Sequence, residues 1–219
     1  MKLAILVGHS ENAKGAWSPK LRKHEYDLWS EVALEVYMEA KATGLDCRIF
    51  KRDGISIEKV GELVNEFCGS DGVAIELHFN SASKVIEELV VGKGLVSRDV
   101  IDPQPHGCET LYDSDPAESK RFAECVHINM MRALTEPNPN YNEYRKDTHP
   151  FTKPKDRGIK LVDNGQRGHR NMRAVKVPSC LIEPFFGSND RDCDRWQRNR
   201  AKFVRALVHA VIEFKLYTA

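Results

Sequence analysis

Four residues able to bind a metal or move a proton stand where apolar runs give way to turns or where a helix begins. His9 follows "KLAILVG" (2–8), His78 closes the apolar part of "DGVAIELHFNS" (71–81), Glu183 lies inside "VPSCLIEPFFGSND" (177–190), and Glu25 opens "EYDLWSEVALEVYMEAKATG" (25–44). Glu183 is the most demanding of them. Its neighbours Cys180, Leu181, Ile182, Phe185 and Phe186 read as a strand entering a core, and an ionised carboxylate taken out of water is strongly destabilising unless a partner compensates it. Either it points outward at a strand end or a positive partner waits inside. A zinc ion is such a partner: a catalytic zinc takes three ligands of the histidine and carboxylate type and keeps a fourth position for water. The remaining carboxylate then serves as general base, held ionised by the cation. Taken singly, each histidine reads more readily as a hydrogen-bonded structural residue, and Glu183 reads equally as one half of an ion pair.

The elements that would position these groups alternate. "KLAILVG" is a buried strand ending in glycine. In the helix from Glu25, residues Leu28, Trp29, Val32, Ala33, Val36, Tyr37 and Ala40 recur at spacings of three and four up to Gly44, an amphipathic pattern. "DCRIFKRD" (46–53) is a second strand, "SIEKVGELVNEF" (56–67) a helix capped by Ser56, and 71–81 a third strand. "GCETLYD" (107–113), a helix over 115–134 with Pro116 in its first turn, "IKLVD", a short helix over Asn171 to Ala174, the Glu183 strand and a last helix from Asp192 to Lys215 complete the series. Segments 82–105 and 135–158 break the pattern with Pro, Gly and Asn and read as insertions, the first beside the substrate groove and the second a long loop. The expected architecture is α/β: a single domain with a mixed central sheet flanked by helices. In such sheets ligands gather at the edge where strands become loops, and His9, His78 and Glu183 all fall there.

Composition narrows the setting. Lys plus Arg total 33 against 32 for Asp plus Glu, a net charge of +1 that gives no basis for binding nucleic acid. The five apolar residues between Lys2 and Gly8 are too short for a signal peptide, and no run reaches membrane-spanning length. The six cysteines (Cys47, Cys68, Cys108, Cys125, Cys180 and Cys193) include no C-x-x-C pair and read as reduced structural thiols. No H-E-x-x-H helix is present, which excludes the usual metalloprotease arrangement.

In order and flanks, "ILVGHS", "HEYDLWSEVALEV", "IELHFNS", "GCETLY" and "PSCLIEPFFGSND" resemble the successive motifs of the zinc-dependent N-acetylmuramoyl-L-alanine amidases of the amidase_3 type. The resemblance covers roughly 3–80, 107–134 and 156–215, and "LHFNS" with "LIEPFFGSN" is its most specific part. It implies one zinc ion held by His9, Glu25 and His78, Glu183 as the catalytic carboxylate, and peptidoglycan as the substrate, cut between N-acetylmuramic acid and the L-alanine of the stem peptide. His24 is an alternative ligand that helix phase does not separate from Glu25; the resemblance favours Glu25. Ser10 stands where the family commonly has glycine. Asn80 and Asn189, each just past a site-bearing strand, and Arg173 are candidates for substrate binding, with turn and surface roles as the alternatives. The chain is expected to be a monomer, made in the cytoplasm without a signal peptide and released to the wall by a separate pore, as a phage or prophage endolysin would be. A zinc carboxypeptidase or deacylase of small peptides, and a non-catalytic wall-binding module, are the competing readings.

Overall fold

The apolar run at the N-terminus forms β1 (Lys2–Val7), buried from Leu3 onward. The computed structural model describes residues 1–91, 94–138, 140, 151–163, 166 and 168–218. After β1 come the paired short strands β2 (Trp17–Ser18) and β3 (Lys23–His24), α1 (Glu25–Ala42), β4 (Asp46–Phe50), α2 (Ile57–Cys68) and β5 (Gly72–Leu77). The hairpin β6 (Ser83–Val90) and β7 (Gly94–Ile101) precedes β8 (Cys108–Tyr112), α3 (Glu118–Ala133) and the short pair β9 (Glu136–Pro137) and β10 (Phe151–Thr152). Then follow β11 (Asp156–Leu161), α4 (His169–Ala174), β12 (Ser179–Glu183) and α5 (Asp190–Thr218).

Six strands form the central sheet in the order β11-β8-β12-β5-β1-β4. β4, β1, β5 and β12 run parallel, and β8 with its parallel neighbour β11 runs against them. The sheet is therefore mixed, as expected. Because side chains alternate along a strand, Leu3, Ile5 and Val7 of β1 join the helices α1, α3 and α5, whereas Ala4 and Leu6 face α2. The inner strands β1, β5 and β12 are buried on both faces and read as mainly apolar runs, whereas the edge strand β4 exposes Asp46 and Arg48. Ser56 caps α2 by accepting the Lys59 N–H at 3.1 Å, the role expected of it.

Under the carboxyl edge of the sheet lies a group of rings. Phe79 stacks on Phe185 with centroids 5.3 Å apart, Phe185 meets Trp196 at 5.1 Å, and Trp196 meets Trp29 edge-on at 5.8 Å. These rings belong to the chain just past β5, just past β12, α5 and α1, so one aromatic cluster joins the elements that carry His78, Glu183 and Glu25.

Boundaries shift where local chemistry outweighs periodicity. The last helix starts at Asp190, because Asn189 Oδ1 accepts the Asp192 N–H at 3.0 Å and caps it. The helix expected over Asn171 to Ala174 begins at His169. Segment 82–105 is largely the antiparallel hairpin β6–β7, whose Val85, Leu89 and Leu95 are exposed. Within 135–158, residues 139 and 141–150 lie outside the described residues; the rest contributes β9, β10 and the start of β11. β11 is an edge strand with a register shift between Asp156 and Ile159, which hides it from a period-two reading.

Trp196 is 1% exposed and Val85 65% exposed. Trp196→Ala is expected to destabilise the fold by about 3–5 kcal/mol, whereas Val85→Ser changes it by less than about 0.5 kcal/mol; urea unfolding of the two variants checks the contrast.

Candidate metal centre

His9, Glu25 and His78 converge at the carboxyl edge of the sheet, each offering a ligand atom, with those atoms all within 4.8 Å of one another. β1 delivers His9 and β5 delivers His78, and these strands are hydrogen-bonded neighbours, Val7 opposite Leu77. α1 enters over the same edge and presents Glu25 from its first turn. His9 Nε2 lies 3.1 Å from Glu25 Oε1 and His78 Nδ1 lies 3.1 Å from Glu25 Oε2. Glu25 also accepts backbone N–H groups from Ala16 at 3.0 Å and Phe79 at 3.2 Å.

His24, the alternative ligand, turns away. Its Nδ1 lies 3.2 Å from the Gly15 carbonyl and its ring rests edge-on against Trp17. The two residues differ because helix α1 begins at Glu25, which sets its side chain inward, while His24 still follows the extended path of β3.

Tight backbone approach fixes the rings. A Cβ on Gly8 would sit 2.5 Å from the His78 ring, and one on Gly15 would sit 2.5 Å from the His9 ring. His9 itself adopts φ 68°, a left-handed conformation disfavoured for a side-chain-bearing residue, and Arg52 Nε donates to its carbonyl at 3.2 Å. Ser10, at the position where glycine is common, forms an isolated bridge with Ala13.

Electrostatics suit a cation. Burial alone opposes charge on both Glu25 and His78, yet hydrogen bonds from His78 and His9 hold the Glu25 carboxyl well below the usual range. Likewise, burial works against protonation of His78, but Glu25 and Glu76 outweigh it and raise the imidazole to about 10. This imidazolium offsets part of the charge of the two carboxylates it faces, Glu25 and Glu76. His9 Nε2 is buried, and 3.1 Å from Glu25 Oε1 it is a donor atom aimed at the same point. Two imidazoles and a carboxylate in this arrangement fit the ligand set of a divalent cation of the zinc type.

Glu183 ends β12 and is 3% exposed. The His78 N–H donates to the Ile182 carbonyl at 3.1 Å, so Glu183 leaves its strand level with His78. On its other side, β8 places Glu109 directly opposite Glu183. Glu109, not assigned from the sequence, accepts from Asn80 Nδ2 at 2.6 Å and Arg157 Nε at 2.9 Å and pairs with Lys160. Burial would raise its pKa, but Lys160 and Arg157 hold it below the usual carboxylate range. A second unassigned carboxylate, Glu76, lies 3.0 Å from His78 Nε2. Its signal in the sequence is its place two residues before His78, on the same face of the strand.

The three expected substrate-binding residues part company. Asn80 lies on this edge, joined to the chain just past β12 by its N–H to the Phe185 carbonyl at 3.0 Å. Asn189 is engaged as a helix cap and donates to the Pro103 carbonyl at 2.6 Å. Arg173 is not brought to the edge: it pairs with Asp113 at 3.3 Å, past the end of β8 opposite to the one that carries Glu109.

Binding of a divalent cation at His78 must displace the proton this residue holds up to about 10. Apparent metal affinity is therefore predicted to rise about tenfold per pH unit between about pH 7 and 9, with release of about one proton from this residue. Calorimetry in buffers of different ionisation enthalpy measures the proton; an affinity independent of pH in that window would contradict the assignment.

Residues 3–213 match the family model Amidase_3, N-acetylmuramoyl-L-alanine amidase. No curated protein matches the sequence. Among solved structures, the catalytic domain of CwlV, an N-acetylmuramoyl-L-alanine amidase from Bacillus (Paenibacillus) polymyxa var. colistinus, is similar with a TM-score of 0.69 at 18% identity, covering 98% of this chain and 97% of that one. The N-acetylmuramoyl-L-alanine amidase from Clostridium difficile 630 is similar with a TM-score of 0.69 at 19% identity, covering 100% and 98%. The catalytic domain of the CD27L endolysin, which targets the same species, follows with a TM-score of 0.64 at 19% identity, covering 97% of each chain. These likenesses show the fold, and the family match over nearly the whole chain shows the rest: this protein belongs to the N-acetylmuramoyl-L-alanine amidase family.

Proposed function

We propose that the chain hydrolyses the amide bond between N-acetylmuramic acid and the L-alanine of the peptidoglycan stem peptide, with one zinc ion held by His9, Glu25 and His78. The observation that carries this reading is the convergence of those three donors at the sheet edge, level with the buried carboxylate of Glu183. Zinc, when bound, supplies Lewis acidity toward the scissile carbonyl and makes water acidic near neutral pH. Glu183 takes the proton of the attacking water and delivers it to the departing amine nitrogen. Its apolar flanks, Ile182 at 0% and Phe185 at 1% exposure, keep competing solvent from that transfer.

Glu109 sets the charge beside it. Two facing carboxylates share a proton unless one is neutralised, and Arg157 with Lys160 does that for Glu109. Glu109 also holds the amide of Asn80, the proposed substrate contact on this edge. Asn189 and Arg173 are committed to the α5 cap and to Asp113 and carry no substrate role in this account. All these groups come from one chain, so the proposed active unit is the monomer. Among the described residues no helix is long and apolar enough to cross a membrane. The wall is the proposed place of action; the similar structures include both an endolysin domain and bacterial amidases, so either setting suits this fold.

Glu183→Gln is expected to bind zinc as the parent chain does and to lose about 10²–10⁴-fold of its rate on peptidoglycan sacculi, read as release of soluble peptide alongside metal content. Full activity in that variant would remove Glu183 from the mechanism.

A further inference from the structure

β5 carries a buried carboxylate that the proposed reaction leaves unused. Glu76 is 2% exposed, in a strand otherwise made of glycine and apolar residues. Its Oε1 lies 3.0 Å from His78 Nε2 and accepts from Asn171 Nδ2 at 2.6 Å, while Oε2 is buried with no hydrogen-bond partner among the described residues. A carboxylate so placed is destabilising unless its contacts are strong. Tying α4 to the sheet does not by itself require a charge there. Met172 of α4 already packs with Leu111, Val162 and Leu181, and the Ala174 carbonyl already accepts from Asn65 Nδ2 at 3.0 Å.

What the charge does is act on His78. The two nitrogens of this ring face opposite carboxylates: Nδ1 points to Glu25, on the side of the three convergent donors, and Nε2 points to Glu76. A histidine that ligates through one nitrogen keeps a proton on the other, and the partner of that proton sets the tautomer, the ring orientation and the strength of the donor. Gly8 closes the ring's remaining freedom by passing under it.

We propose that Glu76 is a positioning residue of the metal centre: it holds the Nε2–H tautomer of His78, which turns Nδ1 toward the ion, and Asn171 holds Glu76 in that pose. The inference rests on the zinc reading above. It adds to the family's ligand set a carboxylate–histidine pair built from "IELH", together with an α4 residue that reaches the centre only through Glu76.

The test uses the full chain and zinc alone. Affinity is measured by competition with a chromophoric chelator; Glu76→Gln is expected to weaken zinc binding about tenfold or more, and Asn171→Ala by a smaller factor. A second readout needs no substitution: nitrogen-15 spectra of the zinc-loaded parent should show His78 metal-bound at Nδ1, with a protonated, slowly exchanging Nε2. Zinc binding by Glu76→Gln within twofold of the parent would overturn the proposal, as would a His78 bound through Nε2. If the parent chain itself fails to bind zinc, the metal reading falls first and takes this inference with it; if the parent binds and the variant matches it, the inference about Glu76 alone is wrong.

Discussion

Glu25 is fully buried, and its two oxygens face His9 and His78 at 3.1 Å each while also taking N–H groups from Ala16 and Phe79. The positions of β1, β5, α1 and the loop between β1 and α1 all meet in this one side chain. A buried carboxylate is tolerable because the protons and dipoles around it compensate its charge, and a divalent cation does the same more strongly at the same point. The same frame is proposed to serve the metal-free and the metal-bound form. Removing Glu25 would take away the carboxylate that both imidazoles face.

That frame tolerates little displacement, and the fold below it supplies the rigidity. The rings of Trp29, Phe79, Phe185 and Trp196 form one packed group, and each is within a few residues of a site group or on a helix that covers it. Close-packed interiors transmit a shift instead of absorbing it. Glycines 8 and 15 bring the backbone against the two imidazoles from below, so ring orientation is set by contact as well as by hydrogen bonds. On the other flank Glu109, clamped by Arg157 and Lys160, fixes the charge next to Glu183 and the amide of Asn80. Rigid support of this kind is what a reactive constellation requires.

Much of this was legible in the residues themselves. His9, His78 and Glu183 are marked by standing at the ends of apolar runs, and the period-two and period-3.6 patterns separate strands from helices along most of the chain. Glu25 and His24 are neighbours in sequence, where the family resemblance alone favours Glu25; in the fold α1 starts at Glu25 and the His24 ring turns toward Gly15. Glu76 has one local sign, His78 two residues on along the same strand face, but its other partner, Asn171, lies 95 residues away and leaves none. Glu109 sits inside a quoted motif, but its worth appears only when β12 pairs with β8 antiparallel. Asn189 and Arg173 look like substrate contacts in sequence because polar residues near site strands resemble one another; a helix cap and an ion pair with Asp113 claim them in three dimensions. Edge elements were the least legible. The β6–β7 hairpin is exposed along most of its length and β11 carries a register shift, so neither writes a clean hydrophobic period.

The central claim is that a metal held by His9, Glu25 and His78 drives cleavage at the first amide of the stem peptide. Mass spectrometry of the soluble products from sacculi incubated with the purified chain, with and without a zinc chelator, tests it most directly. The account predicts free stem peptides that begin with L-alanine, abolished by the chelator and restored by added zinc. Cuts within the stem peptide, binding to sacculi without release, or release that continues unchanged under chelation would contradict it.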